Sequence, residues 1–339
     1  MKTATSKNNV FDQRKSILAM TGVLILVLVG LSLKFGYQSL DFDQILEAIV
    51  QYDASNAQHV LFAEIRVPRL YAACIAGIAL GTAGTLMQVL TRNPLADPGL
   101  LGVNAGASLG VVISILVLGM TDPSQYVWTS LGFAFLVSVI VFSIGANQTV
   151  SPTRLIIAGA AIMAVCIAII QALLLVSRQT LDTYRFWVLG GFDGVQIETL
   201  VVLSPLFLMG TIIAAICSLW LNALVLGTDT AKGLGLRVAV VQIMTGISIV
   251  ILCAATVAMA GPISFVGLVS AHIARRFAGA DVRWMLVLSS LVGVVLLIAA
   301  DLVGRTPLFG GNMQAGVMSA IIGGPVLIWI IRNKGLVRN

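Results

Sequence analysis

Apolar positions in this chain neither alternate nor keep to one helix face; they come in long runs separated by short polar stretches. Ten runs lie near 16–35, 68–90, 99–118, 127–146, 154–176, 197–220, 238–259, 264–278, 284–303 and 314–331. A bilayer-spanning helix needs about 20 mostly apolar residues. In hydrocarbon every backbone N–H and C=O must be bonded within the protein, so each run predicts a helix. The eighth, about fifteen residues long, is short enough to be partly re-entrant. The fold class is therefore all-α: a polytopic membrane protein of about ten transmembrane helices, with residues 1–339 forming a single transmembrane domain. Ile17 to Leu33, after Arg14 and Lys15, is longer than the apolar part of a signal peptide and no small-x-small cleavage site follows, so it reads as a retained first helix.

Composition agrees with lipid as the main solvent. The chain is 58% hydrophobic and 10% charged, where soluble domains carry about 25% charged residues. Mean hydropathy is +1.02. The net charge of +6 comes without a basic patch interleaved with aromatics, so nucleic acid is not indicated. Topology explains it better. With ten spans both termini share a side, and that side holds fourteen of the twenty Lys and Arg residues against six on the other. The excess puts both ends, including a tail at 1–15, in the cytoplasm. The four cysteines, Cys74, Cys166, Cys217 and Cys253, each lie inside an apolar run and have no metal-ligand or C-x-x-C spacing.

Small residues recur at four-residue spacing, as in Gly77 and Gly81, and in Gly102, Gly106 and Gly110. That spacing lets helix backbones approach closely in lipid and predicts a tightly packed bundle. Catalytic chemistry has little to work with. Only His59 and His272 are present, there is no H-E-x-x-H or nucleophile elbow, and no metal site is called for. Asp301 is the clearest acid inside a span, and Arg305, four residues on, shares its helix face. The pair reads either as a structural ion pair or as part of a transport path. The segment Gly227–Gly233 contains a lysine but lacks phosphate-loop spacing, so any ATPase driving this protein is another chain.

The stretch Asn93-Pro94-Leu95-Ala96-Asp97-Pro98-Gly99-Leu100-Leu101-Gly102 predicts a compact cytoplasmic turn between the second and third spans. It also resembles the signature of the FecCD-type permeases of ABC importers for iron-siderophores, haem and cobalamin. Four further places match that family in order: Arg66-Val-Pro-Arg69, Trp187-Val-Leu-Gly190-Gly191, the pattern Gly227, Ala231, Leu234 and Gly235, and Gly261 to Leu268. Two places depart from it: Ser270-Ala271-His272 has no proline before the histidine, and Asn312-Met313-Gln314-Ala315-Gly316 replaces a Glu-x-Pro-x-Gly string.

The resemblance implies a type II ABC importer permease in the bacterial plasma membrane, without enzymatic activity of its own. Its partners would be a second permease subunit, identical or paralogous, two ATP-binding-cassette ATPases and an external substrate-binding protein. This chain would hold no cofactor, with ATP and Mg used by the partner ATPase. The implied cargo is an iron(III)-siderophore, with cobalamin or haem as the alternative, and a stand-alone secondary carrier as the alternative outside the family. Arg66, Arg69 and Arg305 would dock acidic residues of the binding protein, or else snorkel at the bilayer edge. Asn222 to Arg237 would be the coupling loop, with Gly227, Asp229, Ala231, Lys232, Leu234 and Gly235 meeting the ATPase and with Thr228 or Asp229 capping a short helix there. Ser151 and Thr153 would lie near an inner gate. The loop motif contributes Asn93, Pro94, Leu95, Ala96, Pro98 and Gly102.

Overall fold

The structure, a computed structural model, describes residues 2–120, 122–147, 149–150, 152–307 and 313–332. In chain order it begins with α1 (Lys2–Lys34), α2 (Phe42–Val50) and α3 (Ala57–Val60), then α4 (Val67–Thr91), α5 (Val103–Leu118) and α6 (Pro123–Gly145). There follow α7 (Pro152–Leu174), α8 (Arg178–Trp187), α9 (Ile197–Val225) and α10 (Thr228–Gly233). The chain closes with α11 (Val238–Ala260), α12 (Val266–Ala278), α13 (Val282–Gly304) and α14 (Ala315–Arg332). A two-residue strand pair, 146–147 with 149–150, joins α6 to α7. Each of the ten apolar runs is helical. Seven helical stretches are long and apolar enough to cross a membrane, and α5 and α14 are shorter apolar helices.

The short helices have local causes. α12 is only thirteen residues, about 20 Å at 1.5 Å per residue, so it cannot cross the bilayer alone. Irregular backbone precedes it and ends at Phe265, which holds φ 68° at the N-cap of the helix. α5 is short because the Asn93–Gly102 loop does not stay at the surface. It folds back into the bundle: Ala96, Pro98 and Leu101 are buried. Pro98 comes beside Gly267, the second residue of α12. Gly267 also faces Gly84, which sits seven residues, or about 10 Å, above the end of α4. The sequence predicted a cytoplasmic turn; the turn exists, but it re-enters the bundle. This is tolerated because protein rather than lipid surrounds it.

α4 runs through the middle of the bundle, and its small residues explain why it can. A Cβ at Gly77 would lie 2.6 Å from the Val294 backbone, one at Gly81 would fall on the Ser289 carbonyl, and Gly84 faces Gly267. Likewise a Cβ at Gly106 or Gly110 would come within 2.6 Å of the Phe133 or Thr129 carbonyl on α6. The predicted small-residue spacing thus marks backbone-to-backbone contacts of α4 with α12 and α13, and of α5 with α6. Hydroxyls add polar ties between helices, as in Thr85 Oγ1 to Ser289 Oγ at 2.8 Å. Cys166, Cys217 and Cys253 are buried among apolar side chains and Cys74 is partly buried, all four as free thiols.

The second span is longer than its apolar run. Helix continues from Ala57 to Thr91 through a π-helical turn at Leu61–Arg66. Pro68 has no N–H to donate, and its ring would crowd the carbonyl four residues back. The wider turn relieves this, with the Val67 N–H donating to Phe62 O, five residues back.

Candidate functional site

The chain carries chemistry-bearing residues at two opposite ends of the bundle. One end, called here the near end, holds the start of α1, the α9–α11 connection and the α12–α13 turn. Arg14 of α1 donates to Ala278 O at 2.9 Å, lies 3.8 Å from Asp281, and sits over the Trp284 ring. Asn222 accepts from the Val282 N–H at 2.8 Å and donates to Asp281 Oδ1, fixing the end of α9 against the start of α13.

Beyond Asn222 the connection has the predicted short helix, but not the predicted cap. Gly227, with φ 124°, occupies the N-cap position, and no side chain caps the turn. Asp229 falls in the first turn and Lys232 in the last, both favourable to the helix dipole. Ala231 is fully buried, and its carbonyl accepts from the Leu236 N–H, so the hairpin is held from beneath. Leu226 and Leu234 point outward, 71% and 66% exposed, beside exposed Asp229, Lys232 and Gly235. Thr153 is exposed in the first turn of α7; Ser151 lies outside the described residues.

At the far end three of the sequence motifs converge. The Gly191 N–H donates to Ala260 O at 2.7 Å, and Gly190 O accepts from the Gly316 N–H at 2.8 Å, tying the end of α8 to α11 and α14. Gly190 holds φ 66°, and a Cβ there would strike the Pro262 carbonyl, so the turn demands glycine. Beside this knot opens a cavity of about 630 Å³ lined by Tyr126, Trp187, Asp193, Gln196, Thr199 and Gln314, among others. Trp187 stacks with Tyr184 at 6.4 Å, and burial raises the Tyr184 phenol above its usual pKa.

The three arginines assigned to docking are at this end, but they are not exposed. Arg66, Arg69 and Arg305 have only 4%, 7% and 7% of their surface accessible. Each is engaged internally. Asp301, 1% accessible, takes Arg69 Nε and Nη2 at 2.8 Å on Oδ1 and Arg305 Nε at 3.0 Å on Oδ2. Arg69 Nη1 also pairs with Asp193, the half-exposed acid on the rim of the cavity. Arg305 Nη2 donates to Ser32 Oγ at 2.6 Å, and Arg66 donates to the carbonyls of Leu33 and Gln38. Arg66 and Arg305 therefore satisfy groups at the C-terminal end of α1, where orphan carbonyls and the helix dipole favour cations. The expected Asp301–Arg305 pair is present and forms the centre of a five-residue network.

This changes the picture drawn from the sequence. Side chains free to snorkel or to meet an external carboxylate would be solvated. These are built into the junction of α1, α4 and α13, because a charge held in low dielectric must be paired and fully hydrogen-bonded. Sequence reasoning missed Asp193 altogether. The signal available was its place two residues after Gly191, the only acid between α8 and the start of α9.

Comparison with known proteins identifies a family. The model of the FecCD transport family matches residues 24–333. The ferric enterobactin transport system permease protein FepD of Escherichia coli (strain K12) is 41% identical over 322 residues, covering 94% of this chain and 96% of that protein. The probable siderophore transport system permease protein YfiZ of Bacillus subtilis (strain 168) is 35% identical over 91% of this chain and 93% of its own length. The hemin transport system permease protein HmuU of Yersinia pestis is 35% identical over 93% and 96%. Among solved structures, an inward-facing metal-chelate type ABC transporter superposes with a TM-score of 0.82 at 27% identity, covering 94% of this chain and 99% of that one.

Proposed function

Because this chain belongs to the FecCD transport family and is a membrane-spanning permease subunit of an ABC importer, we propose that it moves an iron(III)-siderophore complex inward across the plasma membrane, with both termini in the cytoplasm. The observation that carries the cargo reading is the 41% identity, end to end, with a ferric enterobactin permease. Haem is the second reading, favoured by the similarity to a hemin permease at comparable coverage.

In this reading the near end faces the cytoplasm, as the Lys and Arg excess requires. Two ATPase subunits sit below the pair of permeases, and each receives an α10 hairpin. Leu226 and Leu234 supply apolar contact, while Asp229 and Lys232 set its orientation. Such a contact suits energy transfer because the hairpin is closed by the Leu236 N–H on Ala231 O and Asn222 ties the end of α9 to the start of α13, so a push on it moves α9 and α13 together. Ser151 and Thr153 belong to the inner gate.

The far end receives the external binding protein. Buried arginines serve docking here by exchange. An incoming carboxylate replaces Asp193 on Arg69, while Asp301 keeps Arg69 and Arg305 in place. Rim charges of this kind set orientation and association rate more than affinity.

The test is reconstitution of the permease pair with its ATPases and binding protein in liposomes, measuring ATP-dependent uptake of radiolabelled iron as ferric siderophore. Uptake of ferric siderophore in preference to hemin and cobalamin is expected. Uptake of hemin or cobalamin alone would overturn the cargo reading and leave the permease reading standing.

A further inference from the structure

We infer that α2 is a lipid-anchored helix, lying in the headgroup–acyl boundary of the far leaflet and fixing the height of the arginine network against the membrane. This depends only on the chain spanning a bilayer and is independent of cargo.

α2 carries three faces. Ala48 and Ile45 pack inward with Leu40, Phe62, Leu33 and Val67. Asp43, Gln44 and Glu47 form a polar edge, with Gln44 closing a capping box on Asp41. The third face, Phe42, Leu46, Ile49 and Val50, is one contiguous stripe at helical spacing, and each member is more than half exposed.

The surroundings of that stripe identify what covers it. α1 turns an apolar surface outward along its length, with Met20, Val23 and Leu26 all largely exposed, which is the surface of a helix facing acyl chains. The chain doubles back at the end of α1: the Leu40 N–H donates to Lys34 O at 3.0 Å. α2 therefore starts two residues from a residue pinned to the end of the span. Exposed Phe35, Tyr37 and Tyr52 flank it, as aromatic side chains do at a membrane–water boundary. Leu33 of α1 and Ala48 of α2 share one apolar cluster, so the stripe continues the lipid-facing surface of α1. The polar edge is acidic rather than basic, so attachment comes from buried apolar area and not from attraction to anionic lipid. Phe62 links the same cluster to the π-helical turn that ends at Arg66, which connects the anchor to the arginine network.

The test labels Ile49→Cys and Glu47→Cys with an environment-sensitive fluorophore in the full chain. The four native thiols, buried or partly buried, are assessed by mock-labelling the unmutated protein. Each labelled protein is reconstituted in liposomes containing acyl-chain-spin-labelled lipid. Quenching about threefold stronger at Ile49 than at Glu47, unchanged by anionic lipid or salt, is expected. Val50→Cys provides the same reading if Ile49→Cys fails to fold. Equal quenching at the two positions, a disulfide between unlabelled Ile49→Cys copies under a mild oxidant, or shielding that appears only with added binding protein would overturn the inference, the last two assigning the stripe to a second copy or to the docking partner.

Discussion

The two ends of this bundle use charge in opposite ways. At the far end Arg69, Arg305 and Asp301 are withdrawn from water and joined to one another. At the near end Asp229 and Lys232 stand in solvent beside bare leucines. The α10 hairpin can exchange partners at little internal cost, because Asp229 and Lys232 are exposed. Within the arginine network only the half-exposed Asp193 can be exchanged, because removing Asp301, Arg69 or Arg305 strands a charge in low dielectric. One end leaves its charges in solvent, and the other holds three helices in register with a network whose one half-exposed acid is Asp193.

Substitutions sharpen that contrast. The largest stability loss is expected for Asp301→Ala, which leaves the buried Arg305 guanidinium without a carboxylate and Arg69 with only half-exposed Asp193. Breaking a buried pair costs about 3–5 kcal/mol, so the purified variant should lose monodispersity in detergent, whereas wild-type behaviour would mean the network contributes little. Next comes Gly81→Val, whose side chain would strike the Ser289 carbonyl across the α4–α13 contact. Overpacking of this kind costs about 1–3 kcal/mol and should lower the temperature of thermal inactivation. Asp193→Asn should change stability by less than about 1 kcal/mol, since one partner is half-exposed. It should instead speed association of the binding protein in a stopped-flow measurement; slower association would contradict exchange at Arg69. Smallest in stability is Leu234→Ser, within about 0.5 kcal/mol. That variant should nonetheless fail to co-purify with the ATPase, and retained co-purification would remove the hairpin from the contact.

The same contrast explains what was legible in the sequence. Apolar runs are a one-dimensional signal, so α4, α11 and α13 were located to within a residue or two. The small-residue spacing at Gly77 and Gly81 correctly announced close helix contact, although not that α13 was the partner. The near-end hairpin was expected from the family resemblance carried by Gly227, Ala231 and Gly235, which act locally, through turns and a short helix. Its cap was misassigned to Thr228 or Asp229 because a glycine with positive φ filled the position. The burial and pairing of the far-end arginines were not legible, because their chemistry is non-local. Arg69 and Asp301 are 232 residues apart, and nothing in one sequence pairs them. For the same reason the Asn93–Gly102 loop was placed at the surface: its burial depends on Gly267 and Gly84 leaving room for it. α2 was visible in principle, as Phe42, Ile45, Leu46, Ile49 and Val50 have helical spacing, but its run is too short to register as a span.

The most direct measurement compares liposomes containing the permease pair alone with liposomes also containing the ATPase subunits, each supplied with binding protein and ferric siderophore. A permease subunit driven through the α10 hairpin should show neither ATP hydrolysis nor uptake alone, and both when the ATPase is present. Uptake by the permease pair alone, driven by an ion gradient without ATPase, would contradict it.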